Sequence, residues 1–282
     1  IFDIANKRYI SKNFKNIKTF DAVIIGGGEL IYGHRGFNSS LFIWSKFLSK
    51  KNVPLYLYGV SGDTKMKKNR MKRYKKALAL CTKVIVRDKN TQEICKKVYG
   101  IDSIYKPDVV FSYNLVNKID RIEEGNRNVL LCVPIRYNTK IKEKFNFDNE
   151  NEYFDYLKNI IDKEIKGIRN IYVTSTTFND DESSKRFYDY ISDKYTIDIH
   201  YEKYSCLENY IKLLNMSRVV VSGRMHAMIL GLINGCKIEP IEFKEKLEVF
   251  KEEFYNIKDI AKVENEAFEG LELLECYIDK KE

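Results

Sequence analysis

One stretch, residues 217–240, constrains the fold more than any other part of the chain. The apolar run at residues 219–221 predicts a buried strand, which the Ser222-Gly223 pair then breaks. The apolar segment at residues 227–233 predicts a buried helix that ends at the Asn-Gly pair after it. A strand that leads directly into a helix is the repeating unit of an α/β fold.

Arg224 and His226 fall at the turn between this strand and this helix. Open α/β sheets bind ligands at the carboxyl ends of their strands, and the free N–H groups of a first helical turn attract anions. Arginine adds a fixed positive charge, and histidine can transfer a proton near neutral pH. The pair therefore predicts a functional anion site. The alternative is that Arg224 pairs with a nearby carboxylate and His226 with a backbone carbonyl.

Three consecutive glycines follow another predicted strand, at residues 21–25. They are Gly26, Gly27 and Gly28. Glycines at the end of a buried strand let the backbone turn sharply and approach a ligand closely. A simple tight turn would explain them equally well.

Two further arginines follow predicted strands: Arg87 after residues 83–86, and Arg136 after residues 128–134. Together with Arg224, they would place three cations at strand ends, which suits a substrate that bears both carboxylate and phosphate. The alternative for each arginine is a structural salt bridge.

The alternation of strands and helices predicts an α/β fold of two Rossmann-like domains that face each other across a cleft. The polar segment at residues 119–127 is the predicted linker. It separates an N-terminal domain, residues 1–118, from a C-terminal domain, residues 128–262. Residues 263–282 predict an acidic helical tail that packs on the N-terminal domain.

The formal net charge of +9 is mostly spread along the 282 residues. This favours a small anionic ligand, or loose attraction to an acidic membrane, over a nucleic-acid surface. The basic run at residues 65–76 is the exception, and we interpret it as a solvated helix face, with a membrane or phosphate patch as the alternative.

No two of the six cysteines form a C-x-x-C pair, and no cluster of metal-ligand residues is evident. We therefore expect no metal and a reducing, cytoplasmic environment. No apolar run reaches the roughly 18–20 residues of a membrane span, and no signal peptide is visible. The chain begins with Ile1 rather than Met, so we expect residues to be missing upstream.

Taken in order, these blocks resemble the polysaccharide pyruvyl transferase family. The segments that carry the resemblance are residues 21–28, 86–88, 107–108, 222–235 and 243–246. The sequence departs from the family pattern in two places. The glycine, asparagine and aspartate loop that usually opens the family has no counterpart before Asp21, and the glycine turn at residues 59–63 lacks a proline. The first departure indicates either truncation or a different acceptor side.

The resemblance implies a GT-B-like fold and transfer of the enolpyruvyl unit of phosphoenolpyruvate to two hydroxyls of a sugar. The products would be a pyruvate ketal and phosphate. Phosphoenolpyruvate is then the donor substrate, with no cofactor. The implied acceptor is a saccharide of a bacterial surface polysaccharide or its lipid- or nucleotide-linked precursor. The expected location is the cytoplasm, including the inner face of the membrane.

Given that chemistry, we predict that His226 is the general acid and that Arg224 holds the donor. We predict that substrate binding involves Gly26, Gly27, Gly28, Arg87, Arg136, Met225 and Lys246. Two alternatives stay open. One is a GT-B glycosyltransferase that uses a nucleotide sugar, and the other is a non-catalytic saccharide-binding relative.

Overall fold

A computed structural model of the chain describes five segments: residues 8–10, 12–119, 127–243, 245–255 and 257–279, without the side chains of Arg35, Glu245 and Lys246. Most of the predicted linker and the Lys246 side chain therefore lie outside the described residues. The chain divides into two compact units, residues 1–112 with 263–282, and residues 113–262. The GT-B-like arrangement of two facing domains stays a prediction.

The first unit contains a parallel sheet with strand order β1-β2-β3-β4. Its strands are β1 (Val23–Ile31), β2 (Leu55–Gly62), β3 (Lys83–Val86) and β4 (Ile104–Tyr105). The helices between them are α1 (Arg35–Lys51), α2 (Lys68–Leu78) and α3 (Lys89–Ile94), which continues as a π-helical turn at Cys95–Tyr99. Because right-handed crossovers join neighbouring strands in sequence order, these helices lie on one face of the sheet.

Both faces of this first sheet are covered. On the helical face, Leu41, Tyr74 and Tyr99 pack with strand residues such as Val60 in one buried core. On the other face, the C-terminal helix, Ile260–Asp279, packs Leu274 against a second core that includes tyrosines and Ile85 of the strands. The Tyr56 hydroxyl donates to the backbone oxygen of Tyr277 at 3.0 Å. The first unit is therefore a three-layer sandwich.

The second unit contains a parallel sheet with strand order β7-β6-β5-β8-β9. Its strands are β5 (Val129–Val133), β6 (Asn170–Thr174), β7 (Asp198–Glu202), β8 (Ser217–Ser222) and β9 (Lys237–Pro240). Its helices are α4 (Tyr113–Asn117), α5 (Thr139–Phe145), α6 (Glu150–Glu164), α7 (Phe178–Ile191), α8 (Leu207–Met216), α9 (Met225–Ile233) and α10 (Glu245–Phe254). The central strand β5 is buried along its whole length, as its continuous apolar run requires. The predicted α/β fold with parallel sheets is confirmed.

The prediction that β1 ends before its three glycines is wrong. The strand continues to Ile31, with Gly26 paired to Tyr58 and Gly28 paired to Val60 of β2. Gly27 and Gly28 have φ values of 75° and 86°, which side-chain-bearing residues rarely adopt, while a Cβ on either would meet no atom within 4 Å. Backbone conformation, rather than crowding, therefore explains glycine here.

Three of the described helices were not predicted from the sequence: α4, α5 and α10. Strand β2 runs to Gly62, so most of the segment at residues 59–63, a glycine turn in the family pattern, belongs to the strand. Within the described parts of the chain, none of the helices combines the length and the apolar composition needed to cross a bilayer.

Candidate functional site

Arg224 lies at the turn between β8 and α9, where it is the N-cap residue of α9. Its backbone N–H donates to the Ser222 hydroxyl at 3.0 Å. The intervening Gly223 is tightly packed, because an added Cβ would lie 3.1 Å from the Ile135 side chain and 3.2 Å from the Phe243 ring. The turn is therefore fixed by its own hydrogen bond and by close packing.

The guanidinium of Arg224 is held by a single carboxylate, that of Asp180. Nε and Nη2 lie 2.7 Å and 2.5 Å from the same Oδ2 atom. The Asp180 side chain is 1% exposed, whereas that of Arg224 is 37% exposed. Among the described residues, none bonds to Nη1 of Arg224. The arginine is therefore anchored on one edge and accessible on another.

Asp180 connects three chain segments at this point. Besides Arg224, it accepts a hydrogen bond from the Thr177 hydroxyl at 2.9 Å and one from the Arg136 backbone N–H at 3.0 Å. Thr177 is the N-cap residue of α7, and Asp180 lies in the first turn of that helix, where a negative charge is favourable. Asp180 thus fixes the exit of β5, the start of α7 and the side chain of Arg224 relative to one another.

Sequence reasoning missed Asp180. The available signal was the Thr-x-x-Asp spacing after the strand at residues 170–174, which resembles a capping box. That spacing predicts a helix start but does not reveal the ion pair with Arg224, which lies 44 residues further along the chain.

A second carboxylate, Asp181, lies beside Asp180 in the chain. It accepts hydrogen bonds from the hydroxyls of Ser175, at 3.0 Å, and Tyr201, at 2.9 Å. Burial, together with this hydrogen bond and the charge of Asp181, raises the pKa of Tyr201 to about 12. Tyr201 therefore stays protonated near neutral pH and continues to donate to Asp181.

His226 is the second residue of α9, and its side chain is exposed. Met225, the first residue, is partly buried. Backbone N–H groups at the start of a helix have no partner inside that helix, so the α9 amides and the accessible edge of Arg224 can bind an anion together. The imidazole could then exchange a proton with whatever is bound.

The other predicted arginines differ from Arg224. Arg136 has an exposed side chain, and its backbone contributes to the Asp180 network. Arg87 is 6% exposed and forms an ion pair with Asp108 at 2.6 Å, with a further hydrogen bond to the Ser61 hydroxyl at 3.1 Å. The position of Arg87 at a strand end predicts an accessible side chain, but the structure buries it inside the first unit. Its role in substrate binding stays a prediction.

The three glycines of β1 belong to the first unit, whereas the Arg224 turn belongs to the second. Gly26 and Gly27 are exposed, and Gly28 is partly buried. In the part of the chain that the structure describes, no group of three or more His, Cys, Asp or Glu side chains could hold a metal ion.

A cavity that the sequence did not predict opens at the carboxyl ends of β6 and β7. Its volume is about 280 Å³, and α8 forms one wall. Tyr204, which is 40% exposed, lines it together with Ser205 and Asn209, and the Asn209 amide donates to the Ser205 hydroxyl at 2.8 Å. Lys203 and Lys212 add positive charge.

Comparison with known proteins places the chain in a family. It matches the family model described as polysaccharide pyruvyl transferase over residues 1–238. No curated protein matches it. Among solved structures, it is similar to the N-terminal domain of a Candida albicans trehalose-6-phosphate phosphatase, with 11% identity and a TM-score of 0.47, over 98% of this chain and 73% of that one.

The family match includes β1 with its glycines, Arg87, and the whole β8–α9 turn with Arg224 and His226. It therefore confirms the resemblance that these segments carry in the sequence. The chain belongs to the polysaccharide pyruvyl transferase family.

Proposed function

We propose that this chain transfers the enolpyruvyl unit of phosphoenolpyruvate to a saccharide and releases phosphate. One observation carries the proposal: Arg224 is anchored by Asp180 at the start of α9, with one edge accessible and His226 exposed two residues further on. The family supplies the transferase class and the polysaccharide acceptor. The donor, phosphoenolpyruvate, is what the resemblance to this family implies, and the anion-binding groups of the site suit it.

Phosphoenolpyruvate carries a carboxylate and a phosphate on the same carbon. The accessible edge of Arg224 and the N–H groups of Met225 and His226 can bind one of these anions. The exposed Arg136 follows β5, the strand next to β8, and its backbone is tied to Asp180. Its side chain is our candidate for the second anion. Because Asp180 fixes Arg224 before the donor arrives, the site is preorganised.

The transfer needs one proton at the methylene carbon of the donor. We assign that proton to His226, which converts the methylene to a methyl group and leaves an oxocarbenium-like carbon. A first sugar hydroxyl adds to this carbon and returns its proton to His226. Phosphate then leaves with its bonding electron pair. A second hydroxyl takes its place, and the proton of that hydroxyl goes to phosphate. The product is a pyruvate ketal.

For the acceptor, we propose the cavity beside α8. The exposed ring of Tyr204 offers a flat apolar surface for a sugar ring, and Asn209 and Ser205 offer hydrogen bonds. Lys203 and Lys212 suit the phosphate groups of a nucleotide- or lipid-linked saccharide.

Donor binding can be tested without knowledge of the acceptor. A ligand that binds only the folded protein raises its melting temperature by mass action. We expect phosphoenolpyruvate to raise the melting temperature in the presence of a metal chelator, whereas uridine or cytidine diphosphate should have no effect. A rise with either nucleotide, and none with phosphoenolpyruvate, would favour a glycosyltransferase instead.

A further inference from the structure

A long part of the first unit is almost free of acidic residues. Between residues 30 and 87, Asp63 is the only one, whereas fourteen lysines and arginines fall in that stretch. The stretch includes both α1 and α2, which contain no acidic residue at all. The positive charge therefore extends well beyond the basic run at residues 65–76, which holds eight of these fourteen residues.

These two helices pack side by side, and their contacts use the arginines of α2. The Arg73 Nη1 atom lies 2.6 Å from the Ser39 hydroxyl, and the Arg73 guanidinium lies over the Phe42 ring, 5.9 Å from its centroid. Arg70 donates to the backbone oxygen of Gly33. Arg73 therefore joins the two helices, and Arg70 joins α2 to the turn before α1.

The lysines, in contrast, point to solvent. Lys68, Lys72, Lys75 and Lys76 are all exposed and have the spacing of a single helix face. We define the lysine face as these four residues together with the exposed lysines of the neighbouring segments, Lys46, Lys50, Lys67 and Lys96.

The lysine face extends beyond α2 in both directions. The Lys75 Nζ atom lies beside Gly100, 3.9 Å from the position that a Cβ on Gly100 would take. Lys75 is therefore close to the helical turn that carries Lys96. On the other side, Lys46 lies over the Phe42 ring from α1, 5.9 Å from its centroid. No ion pair neutralises Lys68, Lys72, Lys75 or Lys76 within the described segments.

The opposite face of the same sheet has the opposite charge. The C-terminal helix covers that face and contains six acidic residues and one lysine. The first unit is therefore electrostatically polarised across its three layers. A large anionic surface would attract the lysine face and repel the face that the C-terminal helix covers. The unit would therefore bind such a surface in one orientation.

We propose that the lysine face binds the surface of an anionic phospholipid membrane. Lysines are strongly hydrated point charges that need no fixed geometry, and each one near an acidic bilayer adds to binding. Single-stranded nucleic acid would instead favour exposed aromatic rings between the cations. Here Tyr74 is buried, and the Phe42 ring is covered by Lys46 and Arg73. This inference does not depend on the proposed reaction.

Co-sedimentation of the full chain with phospholipid vesicles tests the proposal. We expect binding to vesicles that contain phosphatidylglycerol, no binding to pure phosphatidylcholine, and a loss of binding as salt is added. Replacing Lys68, Lys72, Lys75 and Lys76 with Gln should lower the partition coefficient about a hundredfold to a thousandfold. These residues are exposed, so the variant should fold, which its melting temperature will verify.

The matched control removes the same charge from the second unit, by replacing the exposed residues Lys140, Lys142, Lys163 and Lys166 with Gln. We expect this control to keep most of the binding. Equal loss in both variants would show that only net charge matters and would overturn the proposal. Failure of the wild-type chain to bind anionic vesicles would overturn it too, as would binding of an RNA or DNA duplex in preference to them. A separate measurement of phosphoenolpyruvate binding tests the proposed reaction, so that either proposal can fail without the other.

Discussion

Arg224 is anchored through two nitrogens on one carboxylate oxygen, which leaves its third nitrogen for a ligand. A lysine at this position would keep the charge but could not bind Asp180 and a ligand with the same planar geometry. We expect Arg224→Lys to weaken phosphoenolpyruvate binding about tenfold to a hundredfold, the value of one charged hydrogen bond. A calorimetric titration of the two proteins measures this, and equal affinity would exclude a geometric role for the guanidinium.

Asp180 should act as a positioning residue rather than a catalytic one. Asp180→Asn keeps the shape of the side chain but removes the charge that holds Arg224. We expect it to reduce the free energy of unfolding by about 1–3 kcal/mol, since Arg224 is only partly buried. We also expect it to weaken donor binding. The control is Glu182→Gln, which removes an exposed carboxylate from the same helix.

A purely structural Asp180 would give a different pattern. Stability would fall in Asp180→Asn, but the affinity for phosphoenolpyruvate, measured well below the melting temperature, would equal that of the wild type. Adding Asp180→Asn to Arg224→Lys would then leave the affinity of the single Arg224→Lys protein unchanged.

His226 is assigned proton transfer rather than binding. His226→Gln keeps a polar side chain but cannot donate a proton, so turnover should fall by roughly 10²–10⁴-fold while donor affinity stays near that of the wild type. Turnover measurements and a binding titration on the two proteins check this. Near-normal turnover in His226→Gln would move the acid elsewhere.

Among the structural elements, β1 shows most clearly how glycine sets a conformation. Gly27 has a φ of 75° in the middle of a paired strand, and the space around it is open. Gly27→Ala should therefore cost about 1–2 kcal/mol of stability through backbone strain alone. Gly27→Asn should cost less, because asparagine tolerates this region better. Urea unfolding of the three proteins tests the order; equal stability would mean that the strand relaxes.

The β8–α9 turn could be predicted from the sequence because both flanking segments are continuous apolar runs. The ion pair at its centre could not be predicted. Asp180 follows β6 and Arg224 follows β8, and these two strands lie on either side of β5 in the sheet. The order of the strands along the chain does not reveal this arrangement. The pairing of Arg87 with Asp108, 21 residues away, depends on the sheet in the same way. For that reason the sequence predicted an accessible Arg87, whereas the structure buries it.

Both units contain tyrosines that are buried or partly buried, and their ionisation should determine how the molecule behaves in alkali. Burial raises the pKa of Tyr58, Tyr74 and Tyr156 from 10.0 to about 12. A tyrosine with a raised pKa binds its proton more tightly in the folded state. Its contribution to stability is therefore complete below pH 10 and decreases as the pH rises towards 12.

We therefore expect melting temperatures to fall between pH 10 and about 12, with tyrosinate absorbance appearing together with unfolding. The control is Tyr58→Phe, which removes one ionisable hydroxyl and should make the fall less steep. Tyrosinate absorbance that develops fully before the fold is lost would contradict this account.

The release of phosphate from phosphoenolpyruvate tests the central claim most directly. It should be measured against a panel of free, nucleotide-linked and lipid-linked saccharides, with His226→Gln as the comparison. The account predicts that phosphate appears only when a suitable saccharide is present, in equal amount to the pyruvate ketal, and much more slowly with the variant. Consumption of a nucleotide sugar, with no phosphate released from phosphoenolpyruvate by any acceptor, would contradict it.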